Sequence, residues 1–445
     1  MLKRYLTTHR ADGSFDFISN IIEIEKYDST YKNYLEKLLI NGSGNIADLY
    51  GIDANALALM SHEATHFLDL TATTWGLEYI YRKYLLVDKL KNDLPYDEQL
   101  KVFMINTSEI QMHSELVTVF DKANLSNCIL NYELVYNKQF GSLIMVNFEH
   151  NGTVVRSVPL SMLSVMEANA YASEILLKIK IIENNEDEFA ALVSLKILER
   201  EFYEFINEPG LSEYNLLLNL CEIHFNFISL KNRLIFLQAV IRFVLNLGAM
   251  NLSKISSLVR RTFINEKIGN SICMDLQRGS SRHIVVFKLL LLIYQFINES
   301  DEKEKLQSEI KSNPYQLIQK MLDNYNIQVD DSFDYGEISD FNSILNNIDS
   351  LQDMFDKEIL LYSAEFNRML LKNKTFFDFE LNDFKLLDYV FSDEAIVSVP
   401  NRIPIDVIKH LNDNLDIYVE LDGVFKKTKT SKFHMHPNDV AIYNL

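Results

Sequence analysis

His62, Glu63 and His66 are the residues on which chemistry can most readily be built, because they form the pattern His-Glu-x-x-His. Residues four apart in a helix stand one turn above each other on the same face, so the two imidazoles can converge on one metal ion. Glu63, a single residue beyond His62, is poorly placed as a third ligand but can reach a water held by that metal. Zinc lowers the pKa of bound water from about 15.7 to about 7, and a neighbouring carboxylate then accepts the proton as the oxygen attacks a carbonyl carbon. The spacing therefore predicts metal-assisted hydrolysis, with Zn2+ as cofactor and Glu63 as general base.

Such a motif works only on a helix. Asp53 is a predicted N-cap, Ala54-Asn55-Ala56-Leu57-Ala58-Leu59-Met60 is a run of good helix formers leading into His62, and no proline interrupts it. Ala64, Thr65, Phe67 and Leu68 are uncharged, as expected of a helix buried beneath a cleft.

From Asp53 to Gly76 the chain resembles the zincin metallopeptidases. The continuation from His66 to Gly76 is also similar to segments of uncharacterised bacterial HExxH proteins. The metzincin form would place a glycine and a histidine where this chain has Asp69 and Ala72. The chain looks gluzincin-like among the zincins. That resemblance implies peptide or protein as substrate and, as third ligand, a glutamate on a second helix, because a catalytic zinc keeps three protein ligands and one open position.

The segment Ser161 to Glu174 offers Glu167, Tyr171 and Glu174 on one helical face, with Ala168, Ala170 and Ala172 small enough for close packing. Glu167 is the first candidate ligand and Glu174 the second, the unchosen one orienting a histidine from behind. Asp69, three residues after His66 on the same face, is expected to be a hydrogen-bond partner. Glu78, beyond a break near Trp75-Gly76, is expected to be a first-turn carboxylate favoured by the helix dipole. A donor to the developing oxyanion comes from Tyr171, His224 or His283, Tyr171 being the candidate carried forward.

The other histidines carry less. His113 reads as a strand residue, His150 as an exposed residue before the Asn151-Gly152 turn, and His434 and His436 as a surface pair.

A chain of 445 residues is too long for one comfortable core, and 48% hydrophobic content with thirteen Gly and seven Pro describes a helix-rich globular protein. Cys128, Cys221 and Cys273 give neither a disulfide framework nor a CxxC site, and are expected to be buried thiols. No apolar region follows the charged start, and the most apolar run, Ile284 to Ile297, contains Lys288 and is short of the ~20 residues that span a bilayer. The expected location is the cytoplasm, with no membrane partner. A net charge of −19 excludes a nucleic-acid backbone as main partner. Lys426, Lys427, Lys429 and Lys432 read as a charged edge.

The periodicity predicts an α+β protein, predominantly α-helical, around a zincin-like core with a small antiparallel sheet. Residues 1–182 would form the metallopeptidase region, 183–298 a helical bundle packed on it, and 299–445 an accessory region, mostly helical, with a hairpin at Ile417 to Lys427. Within the first region, weak strand signals lie at Phe17 to Glu25, and short strands at Met112 to Phe120, Cys128 to Tyr136, Ser142 to Glu149 and Thr153 to Val158. Helices are expected at Tyr31 to Ile40, Leu77 to Leu90, Phe189 to Ile206, Glu213 to Phe227, Arg233 to Leu247, Leu252 to Asn265 and His283 to Phe296, with an acidic loop at Asp330 to Asp340 and further helix from Ile344 to Asn373. Zinc-dependent peptide hydrolysis by a housekeeping, stress or defence protease is the first reading. A non-catalytic metal-stabilised interaction protein and a toxin-like effector protease are the alternatives.

Overall fold

A computed structural model describes residues 12–414, except 47, 96–106, 122, 138–139, 278, 280, 328–331, 352–355, 373 and 375. The hairpin expected at Ile417 to Lys427, the lysine cluster, and His434 and His436 lie outside the described residues.

The motif stretch forms a helix that is apolar on every side apart from its functional residues, so it can be stable only when surrounded. Every residue from Ala56 to Thr71 is buried in this helix, α2 (Ile52–Thr71), which follows α1 (Lys32–Asn41). Its N-cap is Gly51, not Asp53; Asp53 sits in the first turn, where a carboxylate faces the positive end of the helix dipole. The break after α2 comes at Ala72 and Thr73, slightly earlier than expected. Thr73 caps α3 (Thr74–Lys91) by accepting from the Gly76 backbone at 3.0 Å. Gly76 is required there, because a Cβ would lie 2.0 Å from the Leu70 carbonyl oxygen.

Among the described residues, two four-stranded sheets accompany the helices. The first joins opposite ends of the described chain: β1 (Ser14–Phe15) pairs antiparallel with β2 (Ile22–Ile24), β2 runs parallel to β7 (Tyr389–Phe391), and β7 pairs with β8 (Ile396–Val397). The Phe17 to Glu25 signal thus resolves into a short strand and a tight loop, in which Asp16 accepts from the Ile18 and Ser19 amides. The second sheet is the expected meander, β4 (Ile129–Asn137), β5 (Gly141–His150) and β6 (Thr153–Pro159). Asn151 and Gly152 both have positive φ in the turn before β6.

Its fourth member, β3 (Thr118–Val119), is all that remains of the strand expected at Met112 to Phe120. Residues Thr107–Leu116 form a helix, α4, instead. Glu109, Met112 and His113 are buried at helical spacing and dock on the start of the next helix, a tertiary demand that overrides the local alternation. His113 is therefore a helix residue, and His150 at the end of β5 is half-buried, not exposed.

α5 (Met162–Glu183) carries the segment from Ser161 to Glu174, the five helices expected between Phe189 and Phe296 appear as α6 (Glu188–Asn207), α7 (Ser212–Phe225), α8 (Leu230–Leu245), α9 (Ala249–Arg261) and α11 (Arg282–Glu299), and α10 (Glu266–Gln277), α12 (Lys303–Ser312) and α13 (Pro314–Asn324) are helices beyond those expected. The expected acidic loop is helix from Ser332 onward in α14 (Ser332–Ser350). Phe341 and Ile348 are buried at helical spacing, and Asp340 accepts from the Ala249 amide at 2.7 Å, capping α9 from outside. α15 (Lys357–Leu371) and α16 (Val407–Asp413) complete the described elements. The fold is α+β and mostly helical.

One apolar cluster runs from Phe15 to Ile403 and unites α2, α5, α8 and α11. The three cysteines are buried free thiols. Among the described residues no single helix is long and apolar enough to cross a membrane. The run around Lys288 is buried in α11, where the ammonium lies 4.0 Å from the Tyr132 ring centre and 4.3 Å from that of Phe263. Burial pulls its pKa down to about 7.

Candidate metal centre

The second helix of the site, α5, is set in position before it reaches Glu167. Ser161 is its N-cap, its hydroxyl 2.8 Å from His113 Nε2, and the Leu163 amide donates to Glu109 Oε2 at 2.8 Å. Two side chains of α4 thus fix the axial position of α5. Ala168, Ala170 and Ala172 on α5 and Ala64 on α2 are buried, and small residues let the helix axes approach.

That approach brings His62, His66 and Glu167 together, with ligand atoms all within 4.8 Å of one another. Glu167 Oε2 stands 3.4 Å from His62 Nε2 and 3.7 Å from His66 Nε2. A tetrahedral zinc with ligands at about 2.1 Å requires ligand atoms roughly 3.4 Å apart, so the spacing suits one ion. The two histidines and Glu63 are fully buried and Glu167 is 1% exposed. Neither ring nitrogen of His66, nor Glu167 Oε2, makes a hydrogen bond among the described residues. Buried polar atoms of that kind are costly unless something binds them. Burial pushes the Glu167 carboxyl up, but the charges of His66 and His62 beside it outweigh burial and hold it down to about 2. The donor set is two imidazoles and an ionised carboxylate.

The residues behind these three restrain them. Glu174, one face-repeat beyond Glu167, puts Oε2 3.6 Å from His62 Nδ1, while its Oε1 accepts from Lys178 at 3.1 Å. His62 is therefore set between two carboxylates of the same helix. Asp69 accepts from Asn169 Nδ2 at 2.7 Å, a cross-link from α2 to α5. Gln238 of α8 continues this chain, donating to the Asn169 carbonyl at 3.2 Å and to Ser173 at 2.6 Å. Burial raises the Asp69 pKa, with Arg242, Asn169 and His66 acting against it. Asp69 is absent from the group of close ligand atoms, as is Glu78, which lies 3.3 Å from Arg282.

Aromatic rings wall the cluster. The β1 residue Phe15 stacks 6.1 Å from His66, Phe17 lies 5.8 Å from it, and Tyr214 of α7 lies 6.3 Å from His62, all centre to centre. Of the two sheets, the N-terminal one thus supplies strand residues to the motif. Gly13 abuts the general-base candidate: a Cβ there would be 3.1 Å from Glu63 Oε1.

Tyr171, the expected oxyanion donor, is buried in an aromatic stack, its ring centre 3.8 Å from Phe205 and 6.3 Å from Phe202. His224 packs 4.4 Å from Tyr294, with its pKa lowered by burial, and His283 is buried in the first turn of α11. Three neighbours lacked any signal in the sequence. Tyr214 touches His62, as above. Half-buried Glu213 has its pKa raised by burial and then by the Glu167 charge. Tyr389 has its pKa raised by burial and then by the charge of Glu63. All three lie far from the motif along the chain. No protein-family model, curated protein or solved structure matches this chain.

Proposed function

We propose that this protein is a zinc-dependent hydrolase of peptide bonds in which His62, His66 and Glu167 hold the metal and Glu63 is the general base. The observation that carries the reading is the meeting of two imidazoles and one carboxylate, from two helices, at separations suited to a tetrahedral ion and deep in the core. Bound there, zinc would supply Lewis acidity, acidifying a water and polarising a carbonyl. The rest is done by the chain. Glu174 and Lys178 hold His62 from its Nδ1 side, Asp69 and Asn169 lock the two helices in register, and Glu63 takes the proton of the attacking water and passes it to the leaving nitrogen. Purified protein is expected to carry about one zinc per chain by elemental analysis, lost in His66→Ala. Glu63→Gln is expected to keep the zinc and lose hydrolysis of a mixed peptide library; a variant that still cleaves would remove Glu63 from the role.

The complete burial of these residues favours a second reading, a closed metal site that stabilises a protein-binding scaffold. Full zinc occupancy with no turnover of any peptide by the wild type would select it.

A further inference from the structure

The side chains of the N-terminal sheet divide between two faces. Val390 of β7 packs with Ile21 and Val407 in a small separate cluster, whereas its neighbours Tyr389 and Phe391 belong to the main core, together with Phe15 of β1 and the apolar residues of α2. Tyr389 is thus on the face that packs toward the motif helix, the same face from which Phe15 meets His66. Gly13, two residues before Phe15 and on its face, leaves room for the Glu63 carboxylate. The register extends this placement: Phe15 pairs with Ile22, and the parallel β2–β7 pairing of Glu23 with Val390 and Ile24 with Phe391 sets Tyr389 level with Ile22, so Tyr389 lies in line with Phe15, two strands away. The hydroxyl of Tyr389 is buried and makes no hydrogen bond among the described residues. An unpaired buried hydroxyl is costly, and nothing in the packing of a phenylalanine-sized ring demands it. Burial, and after it the charge of Glu63, raises the pKa of this phenol.

We propose that Tyr389 is a further catalytic residue of this site, its O–H donating to the substrate carbonyl oxygen while Glu63 handles the proton. This rests on the hydrolytic reading above. As the water oxygen bonds to the carbonyl carbon, the C=O π pair moves onto the carbonyl oxygen, where Tyr389 donates a hydrogen bond without surrendering its proton. Glu63 accepts one water proton and delivers it to the amide nitrogen as the C–N bond breaks. The opposite ends of the described chain, joined by the parallel β2–β7 pair, would thus complete one site.

The test compares full-length, zinc-loaded wild type, Tyr389→Phe and Glu63→Gln for zinc content, thermal unfolding, acetohydroxamate binding, and kcat and KM on any peptide the wild type cleaves. Tyr389→Phe is expected to leave zinc content and unfolding midpoint unchanged. It should weaken acetohydroxamate about tenfold and lower kcat by about 10²-fold with KM nearly constant, the scale of one oxyanion donor. A Tyr389→Phe protein with wild-type kcat and acetohydroxamate affinity would overturn this role and leave the metal site standing. Loss of zinc or of folding in that variant would assign the hydroxyl to structure and overturn it too. Wild type that binds neither zinc nor zinc-dependent acetohydroxamate would sink the hydrolytic reading itself, and Tyr389 with it.

Discussion

Two buried polar clusters lie on either side of the N-terminal loop, and they are built on opposite principles. Around Asp356, at the start of α15, the carboxylate meets a cation and donors: Lys83 pairs with it and also donates to the Ile18 carbonyl at 2.6 Å, Tyr84 donates to it at 3.0 Å, and His410 stands 3.4 Å away while contacting the Ser19 carbonyl at 2.7 Å. Charge and hydrogen bonds are supplied from within the chain. Around the motif, four acidic residues, Glu63, Asp69, Glu167 and Glu174, surround two imidazoles, and donor atoms of His66 and Glu167 face one another without a hydrogen bond among the described residues. The first cluster is a closed clamp between the loop, α3, α15 and α16. The second has the composition of a site completed by a cation from outside. Burial alone does not distinguish the two clusters; Asp356 is paired with the Lys83 ammonium, whereas Glu167 faces two imidazoles.

The sharpest way to break this contrast is to remove a charge from the clamp. Asp356→Ala strands the Lys83 ammonium in the core and is expected to cost about 3–5 kcal/mol in urea unfolding, equally with and without zinc. A loss that zinc could offset would mean that the two clusters are coupled.

Next in size is the metal itself. Zinc at about a hundred times its dissociation constant should stabilise the protein by roughly 2.7 kcal/mol, read as a chelator-sensitive rise in unfolding midpoint. His66→Ala should abolish the rise while leaving the clamp intact.

Acid should then act on the clamp. Burial raises the Asp356 pKa, but Lys83 and His410 outweigh it and hold it down to about 2. A carboxyl whose pKa is lower folded than unfolded contributes stability that is fully present above its unfolded value, near 4, and lost as pH falls toward 2. The contribution is on the order of 2 kcal/mol and should be absent from Asp356→Asn when stability is followed between pH 5 and 2. The smallest effect expected is at the rear of the metal site. Glu174→Gln should lower zinc affinity about tenfold in competition with a chelator, by releasing His62 from its Nδ1 side. Unchanged affinity would reduce Glu174 to a partner of Lys178.

Much of this arrangement was legible in the chain. The i, i+4 spacing placed His62 and His66 on one face, and Glu167 and Glu174 were nominated by a carboxylate-bearing helix with alanines beside them. The five helices expected between Phe189 and Phe296 lie within a few residues of their bounds, and α10 (Glu266–Gln277) is a sixth that the pattern did not yield. What failed was local pattern opposed by distant partners. The alternation around Thr118 suggested a strand through His113, yet Glu109 and His113 are held in a helix by the N-terminus of α5. The acidic run at 330–340 suggested a loop, yet Asp340 caps α9 and extends its own helix.

Residue order by itself determined which side chains share a helical face, because the 3.6-residue turn is a property of the backbone alone. It determined the motif, the helical character of the chain and the small set of carboxylates that could serve it. Only the tertiary structure decided which faces meet. Parallel pairing of β2 with β7, the approach of α5 to α2, and the arrival of Tyr214 and Tyr389 beside the motif depend on burial of apolar surface between segments far apart in the chain. That driving force is non-directional and leaves no short-range signature in the order of residues.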